Sequence, residues 1–469
     1  DRLRPEFWNL PLRQLTPAEW ESLCDGCGKC CLNKLEDADT GEVAFTRVSC
    51  RLLDTETCRC GQYENRKRFV PECVVLTPKS IAEVAYWMPS TCAYRLRFEG
   101  KPLPDWHPLI TGDAECVHAA GQSVRGWVVP EIMAAIAAAN SGYAMPYGKD
   151  AAMDEVRARL REVFEAPEAA VYLVATGTAA NALSLAILTD PWGAVFCHRN
   201  AHVEEDECGA PEFYTGGSKL VLVEGEHAKM TPDALRKAIA FTGRSGVHNV
   251  QRGMVTLTNV TEHGTVYTAA ETAALAAVAK EFGLPVHLDG ARFANAVVAT
   301  EARPADLTWR AGVDVVSFGG TKNGCMGVEA VVIFDPARAW EFELRRKRGG
   351  HLFSKHRYLS AQMAAYLRDG LWLRLARQAN AAAARLSAGI LAVPGAELVH
   401  PTEANAVFAS FPRAGHRRAT DGGAAYYLWP FDQPIEGPAE ERLSCRMVAS
   451  WSTTEADVDR LISLIRGRG

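Results

Sequence analysis

Cysteine is spread so unevenly along this chain that its two ends cannot share one plan of folding. Ten of the fourteen cysteines fall in the first 116 residues: Cys24, Cys27, Cys30, Cys31, Cys50, Cys58, Cys60, Cys73, Cys92 and Cys116. The remainder of the 469-residue chain holds only Cys197, Cys208, Cys325 and Cys445. Such density in a short segment means either a disulfide scaffold or a metal site. No charged stretch followed by a short apolar run opens the sequence, so reduced, metal-bound thiols and a cytoplasmic location are expected.

Composition elsewhere is ordinary: 48% hydrophobic, 23% charged, formal net charge -5. That balance excludes gross disorder and a polybasic surface, so no nucleic-acid partner is expected. No apolar run approaches the ~18 residues needed to cross a bilayer, so no membrane partner is expected either.

Residues 24–31 read Cys-Asp-Gly-Cys-Gly-Lys-Cys-Cys. Two residues between successive cysteines let a tight turn point several thiolates at one ion, and Gly26 and Gly28 let the backbone fold closely. Cys50, Cys58, Cys60 and Cys73 follow, with Cys92 beyond them. The expected ligands are Cys24, Cys27, Cys30, Cys31, Cys50, Cys58, Cys60 and Cys73. Zinc and iron, the latter as an iron–sulfur cluster, both suit such a set, and the spacing leaves the choice open. Buried unligated or redox-active thiols are the plainer alternative. The segment resembles the bacterial cysteine-cluster family with a CxxCxxCC signature, described as zinc- or iron-chelating. The resemblance runs from Glu6-Phe7-Trp8 through Cys50-Arg51-Leu52-Leu53-Asp54 and Thr91-Cys92-Ala93-Tyr94-Arg95 to Ser123-Val124-Arg125-Gly126.

From Asp150 onward, short apolar runs alternate with amphipathic stretches. Strands are expected at Val171–Val174, Lys219–Val223, Met254–Thr258, Pro285–Leu288, Val313–Ser317 and Ala330–Phe334, with helices such as Thr268–Phe282 between them. This alternation predicts an α/β fold with a mostly parallel sheet covered by helices on both faces. Ligands in such folds sit at the carboxyl ends of the strands.

Three motifs occupy those ends. Gly177 and Thr178 open a helix, where free amides suit a phosphate; an ordinary strand-to-helix turn reads the same way. Asp289, in His287-Leu288-Asp289-Gly290-Ala291-Arg292, suits a protonated ring nitrogen, or equally a helix cap or an ion pair with Arg292. Lys322, in a glycine-rich loop after a buried strand, is placed to form a Schiff base, or to sit in a surface turn. Their order along the chain is that of pyridoxal-phosphate enzymes.

Residues 130–469 resemble the low-specificity L-threonine aldolases, pyridoxal-phosphate-dependent enzymes of fold type I. The matching stretches include Pro130-Glu131-Ile132, Tyr147-Gly148-Lys149-Asp150, Ala175 to Asn181, Asp289 to Ala296, Ser317 to Asn323 and Arg446 to Trp451. The resemblance implies that Lys322 bonds the cofactor, Asp289 pairs with its ring nitrogen and Arg292 sits beside its phenolic oxygen. It further implies that Gly177 and Thr178 hold the phosphate, His202 stacks on the ring near the substrate hydroxyl, and Arg446 grips the substrate carboxylate.

Two departures stand out. The short Ser-Asp strand that precedes the Pro-Glu-Ile match in these aldolases is replaced by Arg125-Gly126-Trp127-Val128-Val129. Glu262 stands where several relatives carry histidine. The basic run Arg345-Arg346-Lys347-Arg348 is expected to be a solvated helix face. The resulting expectation is a lyase that cleaves L-threonine or L-allo-threonine, small β-hydroxy amino acids, to glycine and acetaldehyde. A β-eliminating lyase of the same fold and a metal-binding protein with an inactive aldolase-like scaffold are the alternatives. The expected layout is a cysteine-cluster domain over 1–129, a cofactor-binding large domain over 130–335 and a smaller C-terminal α/β domain over 336–469. The resemblance implies a homodimer or homotetramer.

Overall fold

The computed structural model describes residues 3–36, 43–54, 57–114, 116–119, 122–124 and 128–467. The chain divides into two compact units, 1–127 and 128–469. Residues 125–127, part of the match to the cysteine-cluster family, lie outside the described residues.

The first unit is built from small pieces. The helix Pro17–Glu21 starts on a reciprocal cap, in which Thr16 accepts from the Glu19 amide while Glu19 bonds the Thr16 amide. Strands Leu32–Glu36 and Val43–Ser49 pair antiparallel, as do Leu53–Asp54 and Arg59–Cys60. Phe7, Trp20, Leu23, Ile81, Met88 and Tyr94 form a small core. Gly28 takes φ of 73°, and a Cβ there would lie 3.0 Å from the Val124 side chain, so the turn between Cys27 and Cys30 needs glycine.

The second unit carries a seven-stranded sheet. Its strands, in chain order, are β1 (Ala170–Val174), β2 (Gly193–His198), β3 (Lys219–Val223), β4 (Gln251–Thr258), β5 (Val286–Gly290), β6 (Val315–Gly319) and β7 (Glu329–Ile333). The spatial order is β1-β7-β6-β5-β4-β2-β3. Pairings from β6 through β5, β4 and β2 to β3 are parallel, while β7 runs antiparallel to both neighbours. Burial on both faces explains why β2, β5, β6 and β7 are buried along their whole length. Sequence reasoning did not list β2, whose run Gly-Ala-Val-Phe-Cys-His sits only two residues after Pro191.

The helix Gly177–Leu188 follows β1 and is small and apolar because it threads the interior, with every residue from Ala179 to Leu188 buried. Phe164, Phe293 and Phe318 meet on the other side of the sheet, their ring centroids 5.6 to 6.1 Å apart. A second sheet, of four strands, contains β9 (Ala406–Pro412) between β8 (Glu397–Leu398) and β11 (Arg442–Val448), with β10 (Tyr427–Leu428) outside β11. The helix Leu371–Leu391 links the two cores: Leu371, Trp372 and Leu375 pack in the large one, Ala383, Leu386 and Ile390 in the small one. Among the described residues, no helix is long and apolar enough to cross a membrane.

One expectation is corrected on the helix Ala339–Arg348. Arg346 is not on a solvated face: it is 3% exposed, donates to the Leu173 carbonyl at 3.1 Å and lies over the Tyr172 ring. A guanidinium can be buried this way because its stem packs as an apolar group while its fork bonds a carbonyl.

Candidate active site and cysteine cavity

The carboxyl ends of β1, β2, β5 and β6 bring most of the expected residues to one place. After β1, Thr176 caps its helix by accepting from the Ala179 amide at 3.2 Å. The amides of Gly177 and Thr178 then have no partner within the helix. A Cβ on Gly177 would meet no atom within 4 Å, so the space before this turn is open.

Asp289 ends β5 at 1% exposure, and one of its oxygens accepts from the Ala291 amide at 3.0 Å. His202 begins the short helix His202–Glu205. Its Nδ1 lies 2.9 Å from Glu207 Oε1, and Glu207 also accepts from Asn181 Nδ2 at 2.8 Å. One donor atom each of His202, Glu207 and Asp289 fall within 4.8 Å of one another. The bond from Glu207 raises the His202 pKa above its ordinary value, against burial, with Asp289 and Glu262 adding to the rise. Burial raises the Glu207 carboxyl despite its bonds to His202 and Asn181. Glu207 therefore holds the His202 ring through Nδ1 and is the group that most affects its proton affinity.

Lys322 lies in the turn Thr321–Asn323 after β6, exposed to solvent yet crowded by neighbouring protein. That crowding, and then Arg292, lower its pKa, with Glu262, Asp289 and Glu329 opposing. Arg292 stands at the start of the helix Phe293–Thr300 without a side-chain capping bond, and burial lowers its pKa too. Arg446 comes from the middle of β11, with its Nη2 3.7 Å from Glu262 Oε2 and its guanidinium over Trp429. Its Nε is buried with no hydrogen-bond partner among the described residues. Next to Glu262, His263 stacks on His400 at 4.0 Å, turned from the carboxylate into a histidine cluster that includes His227.

Sequence reasoning missed Glu207, Asn181 and Glu329, and read Glu262 only as a departure. The one signal for Glu207 was its place five residues after His202.

Upstream of the site, the Val129 amide donates to the Gly324 carbonyl at 3.1 Å, and Val129 is 1% exposed. The residue before Pro130 is therefore fastened to the far side of the lysine turn.

In the first unit, one cavity of about 120 Å³ is lined by Cys24, Cys27, Cys30, Cys31, Cys50, Cys60, Cys73 and Cys92. Seven of these were expected as ligands; Cys92 was not. Cys58 does not line this cavity, and its Sγ lies 4.0 Å from His118 Nδ1. Burial pushes the Cys92 thiol up to about 12 and the Cys27 thiol well up as well. The Cys30 thiol, 4.0 Å away, brings Cys31 down to about 7 against burial, with help from Lys34 and Arg66.

With this geometry in place, comparison with known proteins decides the family. The model described as "Beta-eliminating lyase" matches residues 127–413, more than half of the chain. The chain belongs to the β-eliminating lyase family. This lyase is 41% identical over 339 residues to a low specificity L-threonine aldolase of Pseudomonas sp., a match covering 72% of this chain and 94% of that protein. In structure it resembles a threonine aldolase of Leishmania major at a TM-score of 0.67 and 27% identity, over 72% of this chain and 96% of that one. The fold is therefore pyridoxal-phosphate-dependent transferase fold type I. A second model, CxxCxxCC, described as "Putative zinc- or iron-chelating domain", matches residues 23–93. A UPF0260 protein of Rhodobacter capsulatus is 73% identical over 129 residues, covering 28% of the lyase chain and 87% of that relative. The chain is thus a fusion of a UPF0260-type cysteine domain with a β-eliminating lyase.

Proposed function

We propose that residues 130–469 cleave L-threonine and L-allo-threonine to glycine and acetaldehyde with pyridoxal 5'-phosphate. The observation that carries this reading is the meeting of Lys322, Asp289, Arg292 and His202 with the open Gly177–Thr178 turn at one sheet edge. The named activity of the Pseudomonas relative supports the same reaction.

The donor set fits the cofactor: helix-start amides for a phosphate, a buried carboxylate for a ring nitrogen, an imidazole beside it and an accessible amine with a lowered pKa. When bound, the cofactor supplies an electron sink conjugated to the substrate amine. Gly177 and Thr178 would hold its phosphate, Asp289 would keep the ring nitrogen protonated, Arg292 would face the phenolic oxygen and Lys322 Nζ would be the covalent attachment. Arg446 takes the substrate carboxylate through its guanidinium fork, with Glu262 steadying the far side. His202 accepts the β-hydroxyl proton as the Cα–Cβ bond breaks, and Glu207 holds the ring in orientation.

Residues 1–129 would hold zinc or iron through Cys24, Cys27, Cys30, Cys31, Cys50, Cys60 and Cys73, with Cys58 beside His118. The dense thiol lining of a single cavity supports this. The division at 335/336 separates the cofactor-binding part from a smaller domain containing Arg446. A cytoplasmic homodimer or homotetramer is the proposed working form.

The test is glycine release from L-threonine by the full chain with added cofactor, beside Lys322→Ala. Release that disappears in the variant supports the aldolase. Ammonia and a keto acid in place of glycine would reassign it as an eliminating enzyme.

A further inference from the structure

Behind the lysine turn lies a buried carboxylate that the mechanism above does not use. Glu329 opens β7, pairs in register with Gly319 of β6 on one side and Val174 of β1 on the other, and is 5% exposed. It therefore stands between the turn that carries Lys322 and the turn that carries Gly177 and Thr178. Its Oε2 accepts from the Gly320 amide at 2.7 Å.

Burying a carboxylate at a strand start is unfavourable unless its surroundings offset it, and an apolar residue would fill the place with less loss. Burial pushes Glu329 up to about 7, opposed by Thr321, the Gly320 amide and Lys322. Every group opposing that rise belongs to the lysine turn. From the other elements packed here, Cys325 and Tyr366 face Glu329, and burial pushes both well up, so they are neutral. Lys322 is further faced by Arg292, which lowers it, and by Glu262 and Asp289, which raise it.

We propose that Glu329 is a positioning residue for Lys322: it fixes the Gly320–Lys322 turn through the Gly320 amide, and in its ionised form it favours the protonated lysine nitrogen. This rests on Lys322 being the lysine that bonds the cofactor.

The full chain and Glu329→Gln, both reconstituted with pyridoxal 5'-phosphate, would be titrated by the near-visible absorbance of the lysine-bound cofactor. Glutamine keeps an acceptor for Gly320 but carries no charge. The expected result is equal cofactor content and a spectral midpoint displaced to lower pH by about half a unit or more. An unmoved midpoint at equal content overturns the inference. No band in the parent protein would instead overturn the assignment of Lys322. Should Glu329→Gln not fold, Glu329→Asp keeps the charge but withdraws it from Gly320. It is expected to retain the parent midpoint with reduced cofactor content, and unchanged content would overturn the positioning role.

Discussion

Where the lyase unit closes its interior with valine, leucine and phenylalanine on both faces of a seven-stranded sheet, the cysteine unit turns eight thiols toward one cavity. Among its described residues, the cysteine unit has no helix longer than the six residues of Ala93–Phe98. Apolar burial at about 25 cal/mol per Å² makes a large sheet self-supporting. Clustered thiols give little until they are deprotonated and coordinated, and then folding and metal binding become one event. The same chain thus uses two sources of stability, and each should fail to a different insult.

Stripping metal is the sharpest way to break this comparison. A strong chelator under reducing conditions should abolish protease resistance in residues 1–127 of the full chain and leave 128–469 intact, as read by mass spectrometry of the fragments. Equal loss in both units would show that the contrast in their interiors does not govern stability.

Within the lyase unit, a change at the cleft should touch chemistry and not the core. Arg446→Lys removes the bidentate fork, and KM for L-threonine should rise by about 10- to 100-fold with a melting temperature close to the parent's. Glu207→Gln should act on pH dependence. Because Glu207 is the largest cause of the raised His202 pKa, its loss lets that pKa fall. The acid limb of kcat/KM then moves to lower pH, by about one unit, if His202 must be neutral to accept a proton. An unmoved limb would take the base role away from His202.

The smallest effect belongs to the surface. Arg368 is the largest cause holding Glu155 down at about 2, yet the two side chains are 49% and 28% exposed. Arg368→Ala should cost less than about 1 kcal/mol near neutral pH. A depressed carboxyl contributes stability above its unfolded value and loses it as pH falls through the folded one. The difference between variant and parent should therefore vanish as pH falls from about 4.5 to about 2.

The sequence made legible whatever repeats or clusters locally. The strand–helix alternation and the cysteine run announce themselves through spacing, so the α/β architecture could be written down, whereas the proposed cofactor residues came from the order of Gly177, Asp289 and Lys322 along the chain together with the resemblance to the aldolases. What escaped depends on how the chain packs in space. Glu207 and Glu329 look like ordinary carboxylates until the turn after His202 and the antiparallel β6–β7 pairing set them against His202 Nδ1 and the Gly320 amide. Arg346 sits in a basic run that reads as solvated, and only the neighbouring Leu173 carbonyl shows otherwise. Cys92 lies 19 positions beyond Cys73, too far for spacing to assign it to the cavity it lines.

The bond from the Val129 amide to the Gly324 carbonyl bears on where this protein can be cut. Trimming the lyase to begin at Pro130 follows the resemblance but strips a donor from the backbone two residues past Lys322. It also empties the pocket that the Val129 side chain fills, where its Cγ2 lies 2.4 Å from the position a Gly324 Cβ would take. A shortened enzyme made for crystallisation or biocatalysis should therefore start at Val128, with the two valines treated as part of the lysine turn's foundation.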